Sequence, residues 1–295
     1  MKVSVILNSS KSNAKKTEQD ILRLDAPNIA FRFFFTTHKG HAAELAHSAS
    51  NDCHVIIPVG GDGTIHECLN GIMKWHFENP EKKCPALLPI ALGTGNDFVR
   101  NLSYNTDIGS IISRIHNQSP ILADVGRINY TNGSEVIFIN ECSAGIGPSV
   151  VQCSDSLPKL WSGNLRFGLA ILKTFLTYQK KQIEIFSENI RWSGPSICTV
   201  IANGKFFGSG ICIAPDARID DGVLQITVIG DVSIIEYLRY LPALRRGKKI
   251  SHPQVFYFEA QELTIKSEGL TETDGEIGHA ANAHISIIKS AIELL

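Results

Sequence analysis

Gly60-Gly61-Asp62-Gly63-Thr64 follows the hydrophobic run HVIIPV and precedes a helix-forming stretch. Glycines carry no side chain, so backbone N–H groups can approach an anion closely, and the helix that follows adds its positive N-terminal dipole. The pattern predicts a phosphate cradle. Asp62 needs its own explanation, because a bare carboxylate repels phosphate. A divalent cation or the hydroxyl of a phosphoryl acceptor would be its companion, and either points to phosphoryl chemistry. LPIALGTGNDFVRNL repeats the strand-loop-helix design, with Gly93 and Gly95 around Thr94 and with Asn96 or Asp97 placed to cap the next helix. Ligands of open parallel sheets bind at the carboxyl edge, so both loops are expected to converge on one nucleotide. A dinucleotide G-x-G-x-x-G fails because His66 and Phe98 stand where the third glycine belongs, and no Walker P-loop occurs.

These loops need strands and helices to position them. KVSVILN, AFRFFFTT, HVIIPV and ALLPIAL alternate with helical patterns from about Ala14 to Leu24, from about His41 to Ser50, from Ile65, and after Leu92. Strands separated by helix-length segments imply right-handed βαβ units and a mostly parallel sheet. From about Asp124 short strands joined by turns predominate, which predicts an antiparallel, sandwich-like domain with helices inserted at about 160–178 and 233–244. The expected organisation is a two-domain chain. Residues 1–124 would form a nucleotide-binding α/β domain and 125–295 a β-rich lipid-substrate domain, with the last residues free to pack back on the first.

The chain has 295 residues, more than one core comfortably serves. A net charge of −1 and a pI near 6.8 give no basic field for nucleic acid, so no nucleic-acid partner is expected. The first residues have too short an apolar run for a signal peptide, and no run suits a membrane span, so a cytoplasmic protein is expected. Seven scattered cysteines without a C-x-x-C pair read as reduced, mostly buried thiols. His38, His41, His279 and His284 lack the accompanying pattern of a zinc site.

GGDGT, its ECLNG continuation, LGTGNDF and a late TDGE, in that order, resemble the diacylglycerol kinase catalytic family of bacterial lipid kinases, to which sphingosine kinases are related. IANGKFFGSGICIAPDARIDDGVLQITVI is similar to that family's second-domain signature, so the resemblance covers nearly the whole chain. It implies an ATP-dependent kinase that phosphorylates diacylglycerol or a similar lipid alcohol. ATP phosphates would lie on Gly60, Gly61, Asp62, Gly63 and Thr64, with Thr94 contributing from the second loop and Asn8 and Thr37 near the nucleotide. The resemblance also implies a magnesium and water network on Asp62, Asp97 and Asp124. Such a network suits an ion that keeps much of its water shell.

In TDGE, Glu276 is implied as the general base, with Asp274 orienting it or the metal-bound phosphates; read alone, Asp-Gly is a hairpin turn. Asp62 and Glu276 would then face a shared pocket. A second, structural divalent ion is implied on Asp221, with oxygens from Arg218 and Val223. Two departures stand out: Asn8-Ser9-Ser10-Lys11-Ser12 replaces the usual N-P-x-[SA]-G, and His66, read as a helix-surface residue, replaces a common Asn.

The alternatives are an NAD kinase-like enzyme with a soluble acceptor and a non-catalytic nucleotide- or lipid-binding regulator. Leu160, Trp161, Leu165, Phe167, Leu169, Leu172, Phe175 and Leu176 present more apolar faces than one core stripe requires, read first as core packing and second as an acyl pocket. Arg245, Arg246, Lys248 and Lys249 follow an amphipathic helix and could rest on anionic headgroups, which would give peripheral membrane association with the lipid substrate presented at a membrane surface. Homodimer formation is left open.

Overall fold

The computed structural model describes residues 1–10, 13–93, 95–117, 120–158 and 163–295. They form two compact units, Met1–Ala123 with Ser290–Leu295, and Asp124–Lys289.

The first unit is an α/β domain: β1 (Lys2–Leu7), α1 (Ala14–Leu22), β2 (Ala30–Phe35), α2 (His41–Ala49), β3 (Val55–Gly60), α3 (Asp62–Glu78), β4 (Ala86–Leu87), β5 (Ile90–Ala91) and α4 (Ile111–Asn117). Its strands pair in parallel, β2 and β3 flanking β1, and β4 and β5 both pairing with β3. All six residues of β3 are buried, which suits a central parallel strand covered on both faces. Full burial of Ile56 and Ile57 stabilises the unit by about 1.5–3 kcal/mol each. Helix α3 fixes the site loops by packing on α2 at Gly71, where an added Cβ would meet the Ala43 carbonyl oxygen at 2.2 Å.

Three local expectations are corrected. Helix α3 begins at Asp62, not Ile65, so Asp62-Gly63-Thr64 is its first turn, with Gly61 as N-cap. ALLPIAL is two short strands, divided at Leu88-Pro89, because Pro89 has no N–H to continue a ladder. The loop after β5 leads into a 3₁₀ turn at Val99–Asn101 instead of a capped α-helix.

The second unit is an antiparallel, β-sandwich-like domain. It contains β6 (Ile121–Tyr130, from Asp124 onward), β7 (Glu135–Phe138), β8 (Glu141–Gly145), α5 (Ile146–Ser156), α6 (Gly163–Thr177), β9 (Lys181–Phe186), β10 (Arg191–Ser196), β11 (Cys198–Ala202), β12 (Phe206–Phe207), β13 (Ile211–Cys212), β14 (Leu224–Ile229), α7 (Ile234–Arg245), β15 (Val255–Ala260), β16 (Glu262–Thr273) and β17 (Glu276–Leu294). Strand β8 lies between β11 and β16, and β14 lies between β11 and β15. Alternating inward residues such as Ile183, Ile185, Leu263, Ile265, Ala283 and Ile285 meet in one core. Helix α6 packs on a second cluster through Phe167, Ala170, Ile171 and Phe175.

That packing corrects the expected core role of the leucines. Leu165, Leu169, Leu172 and Leu176 occupy the other stripe of α6 and are 54%, 36%, 40% and 68% exposed. Leu160 and Trp161 lie outside the described residues. On α7, Ile235 and Leu238 are also exposed, and the Phe175 and Tyr237 rings stack across the two helices at 5.6 Å.

Candidate active site

In the first unit the two glycine loops meet backbone to backbone. A Cβ built on Gly93 would lie 2.5 Å from the Gly61 Cα, and Leu92 donates its N–H to the Gly60 carbonyl at 2.6 Å. Gly93 has no room for a side chain here, and a Cβ on Gly61 would be tight, 3.2 Å from the Gly93 Cα. Asp62 joins the same two loops, because its Oδ1 accepts the Phe98 N–H at 3.1 Å. Asn96 adopts a positive φ of 52° and donates its side-chain amide to the Gly93 carbonyl at 3.0 Å, closing the second loop. Arg100 donates to the Gly95 carbonyl and lies 3.6 Å from the carboxylate of Asp97, which is buried.

The neighbouring strand ends complete the edge. Asn8 donates to Thr64 Oγ1 at 3.1 Å, and Thr64 itself is buried. A Cβ on Gly60 would collide with that hydroxyl at 2.3 Å. Thr37 accompanies the stacked rings of His38 and His41, with its Oγ1 3.0 Å from His38 Nδ1 and 3.1 Å from His41 Nδ1. Glu67, the acid of ECLNG, accepts the N–H groups of Gly40 and Ala42 at 2.8 and 3.1 Å and so fixes the segment that follows Thr37. Gly63 sits in the first turn of α3, whose dipole and N–H groups face the strand-edge loops in the manner of anion sites. Thr94, Lys11 and Ser12 lie outside the described residues. His66 is 8% exposed and lies beside Asn70, which corrects its reading as a surface histidine.

In the second unit TDGE is a two-residue hairpin between β16 and β17. Asp274 and Gly275 have φ of 49° and 91°, as a type I′ turn requires, and Thr273 pairs with Glu276. The turn is more than a connection. The buried Asp274 carboxylate accepts three backbone N–H groups, from Ile139, Asn140 and Glu141, each at 3.0 Å. These bonds tie the turn that carries Glu276 to the 139–141 segment. Glu276 is half-buried at the first position of β17.

Asp124 accepts the Gly222 N–H at 2.6 Å, and Asn203 donates to the Asp124 carbonyl at 2.9 Å, so the acid is tied to the DDG turn. Asp221 accepts the Val223 N–H at 3.0 Å, and Arg218 pairs with Asp220. Burial pushes the Asp221 carboxyl above its ordinary range, and the nearby Asp124 and Asp220 push it further while the Val223 bond and Arg218 oppose them. Among the described residues no group of three or more His, Cys, Asp or Glu side chains is arranged to hold a metal ion directly. The donor chemistry does fit indirect binding: Asp62 and Asp97 stand on loops joined by the Asp62–Phe98 bond, and carboxylate oxygens acting through water suit magnesium.

Comparison with known proteins matches residues 2–128 to the diacylglycerol kinase catalytic domain and residues 140–295 to the YegS C-terminal NAD kinase beta sandwich-like domain. The chain belongs to the diacylglycerol kinase catalytic family of lipid kinases. Relatives in this family include a diacylglycerol kinase of Staphylococcus haemolyticus, 27% identical over 97% of this chain and 84% of its own length. Another is the probable lipid kinase YegS of Escherichia coli, 26% identical over 98% and 93%. The solved structure of a diacylglycerol kinase from Bacillus anthracis shares the fold, with a TM-score of 0.71 at 20% identity, covering 99% of this chain and 96% of that one.

Several structural partners in this lipid kinase were not assigned a role from sequence. Glu67 lies within a quoted motif, but its backbone partners are 25–27 residues away. Glu141, Glu272 and Asn203 are buried polar residues within strands or at a strand end. For Glu272 strand alternation gives no signal, since it shares the outward parity of Lys266 and Glu268 and is buried only after register shifts between Lys266 and Glu272.

Proposed function

We propose that this lipid kinase transfers the γ-phosphate of ATP to the hydroxyl of diacylglycerol or a similar lipid alcohol. The observation that carries the reading is the contact of Gly61 with Gly93 beside Asp62 at the start of α3. That cradle suits phosphates, with backbone N–H groups of Gly60–Thr64 and the helix dipole as the binding elements. Thr94 is included in the proposed set, and Asn8 and Thr37 stand at neighbouring strand ends for the nucleotide.

Glu276 accepts the proton of the lipid hydroxyl as its oxygen bonds to the γ-phosphorus, and the bond from that phosphorus to the β–γ bridging oxygen breaks to release ADP. Asp274 positions Glu276 through the turn. Asp62 and Asp97, with Asp124, would hold magnesium through water, and when bound it neutralises phosphate charge. Asp221, with oxygens of Arg218 and Val223, is proposed to hold a second, structural divalent ion.

The exposed stripe of Leu165, Leu169, Leu172 and Leu176 supports lipid presentation at a membrane surface. Within α6 the charged residues are Arg166 and Lys173 and there is no acid, so this helix complements an anionic bilayer. Among the described residues no helix is long and apolar enough to cross a membrane.

The test is incubation of the purified protein with labelled ATP and magnesium against diacylglycerol, other lipid alcohols, NAD and no acceptor. Labelled phospholipid is the expected product. Labelled NADP would establish the soluble-acceptor reading, and no product from any acceptor would favour a non-catalytic binding protein.

A further inference from the structure

Asn203 has no place in the proposed chemistry, yet it joins two parts of the second unit that do. It follows β11 and is fully buried, at 0% exposure. Its side-chain amide donates to two main-chain carbonyls, that of Asp124 at 2.9 Å and that of Ile139 at 2.7 Å. Its backbone N–H and that of Gly204 donate to the Asn140 carbonyl at 2.9 and 2.8 Å. Carbonyl oxygens only accept, so the amide has one orientation: turned over, it would set its own oxygen against two others. Among the described residues nothing donates to Asn203 Oδ1, so the side chain works here as a donor.

Both arms of this clamp continue. On one side the Asp274 carboxylate holds the N–H groups of Ile139, Asn140 and Glu141, and Asp274 returns its own N–H to the Glu141 carbonyl at 3.1 Å. The 139–141 segment therefore carries the turn that precedes Glu276. On the other side Asp124 gives its backbone N–H to the Ile219 carbonyl at 2.7 Å and takes the Gly222 N–H on Oδ2 at 2.6 Å, which fixes the turn that holds Asp221. We propose that Asn203 is a positioning residue that ties the Glu276 turn and the acids Asp124 and Asp221 into one frame. The frame stands on the hydrogen bonds above; its consequence for turnover rests on the kinase reading. An enclosed carbonyl left without its donor costs more than the bond itself contributes, so loss of the amide loosens both arms at once.

Amide hydrogen exchange of the full chain tests the frame. In the wild type, the N–H groups of Asn140 and Gly222, one on each arm, are expected to show protection within about 3-fold of each other as mild denaturant is added. A difference above about 10-fold would overturn the frame, and this comparison needs no variant to fold. In folded Asn203→Asp, which keeps the shape and loses the amide hydrogens, both groups are expected to lose about 10-fold or more in protection while Ile57 in β3 of the first unit keeps its own. Unchanged protection on either arm would also overturn it. Kinetics with ATP and diacylglycerol at saturating magnesium test positioning. Folded Asn203→Ala is expected to lose roughly 10- to 100-fold in kcat with little change in the KM for ATP, because the glycine loops lie in the first unit. Wild-type kcat in that variant would overturn positioning. If Glu276→Ala retained turnover, the kinase assignment of Glu276 would fall while the exchange comparison still decided the frame.

Discussion

Gly61 and Gly93 touch through their backbones: a Cβ on Gly93 would stand 2.5 Å from the Gly61 Cα and 2.6 Å from Asn96 Oδ1. Neither obstacle is the end of a long flexible side chain. Gly93→Ala must therefore part the two loops, and the overpacking is expected to cost about 1–3 kcal/mol. The more diagnostic outcome is a rise in the KM for ATP, measured beside the melting temperature, because the parted loops present their N–H groups less closely.

Asp62 has a structural bond and a proposed chemical role, and the two can be separated. Asp62→Asn keeps an oxygen for the Phe98 N–H but removes the charge. It is expected to fold with near-normal stability and to lose about 10²-fold or more in kcat/KM, with a weakened response to magnesium titration. Near-normal turnover would remove the carboxylate from the chemistry.

Asp274→Asn replaces one acceptor oxygen by an amide that opposes a backbone N–H from the 139–141 segment. Charge-assisted bonds are lost and a buried donor is stranded, so destabilisation of about 2–3 kcal/mol is expected from denaturant titration. Activity should fall with it through the displaced turn. An unchanged unfolding midpoint would show that the three bonds do not anchor Glu276.

The exposed leucines of α6 give a measurement independent of catalysis. Leu172→Glu with Leu176→Glu removes apolar contacts worth about 1.5–3 kcal/mol each when buried and adds charge repelled by an anionic surface. Cosedimentation with phosphatidylglycerol vesicles should drop by about 10²-fold in affinity, while thermal stability, set by the opposite stripe of Phe167, Ala170 and Phe175, stays close to wild type. Equal vesicle binding by the double variant would remove α6 from the membrane face.

Much of this arrangement is local enough to be legible in a string of residues. The run HVIIPV before two glycines specifies a buried parallel strand and a tight turn, because each requirement falls on neighbouring residues. Asp274-Gly275 likewise specifies a hairpin, since both residues tolerate positive φ. The capping box at Ser233 and Glu236 marks the start of α7 in the same way.

What the chain order could not decide is which of two equally periodic faces goes inward and which distant backbone groups a carboxylate meets. Helix α6 carries leucines at 165, 169, 172 and 176 and a second stripe at 167, 170, 171 and 175, both at helical spacing; only packing against Val200, Ile213 and their neighbours selected the second. His66 went inside because α3 is covered along much of its length. Glu67, Asp274 and Glu272 found partners 25 to 135 residues away, or in one another's turns. Residue type and spacing determine local conformation and the available chemistry, whereas burial and long-range hydrogen bonding arise only when separate elements close on a common core and every enclosed polar group must find a partner.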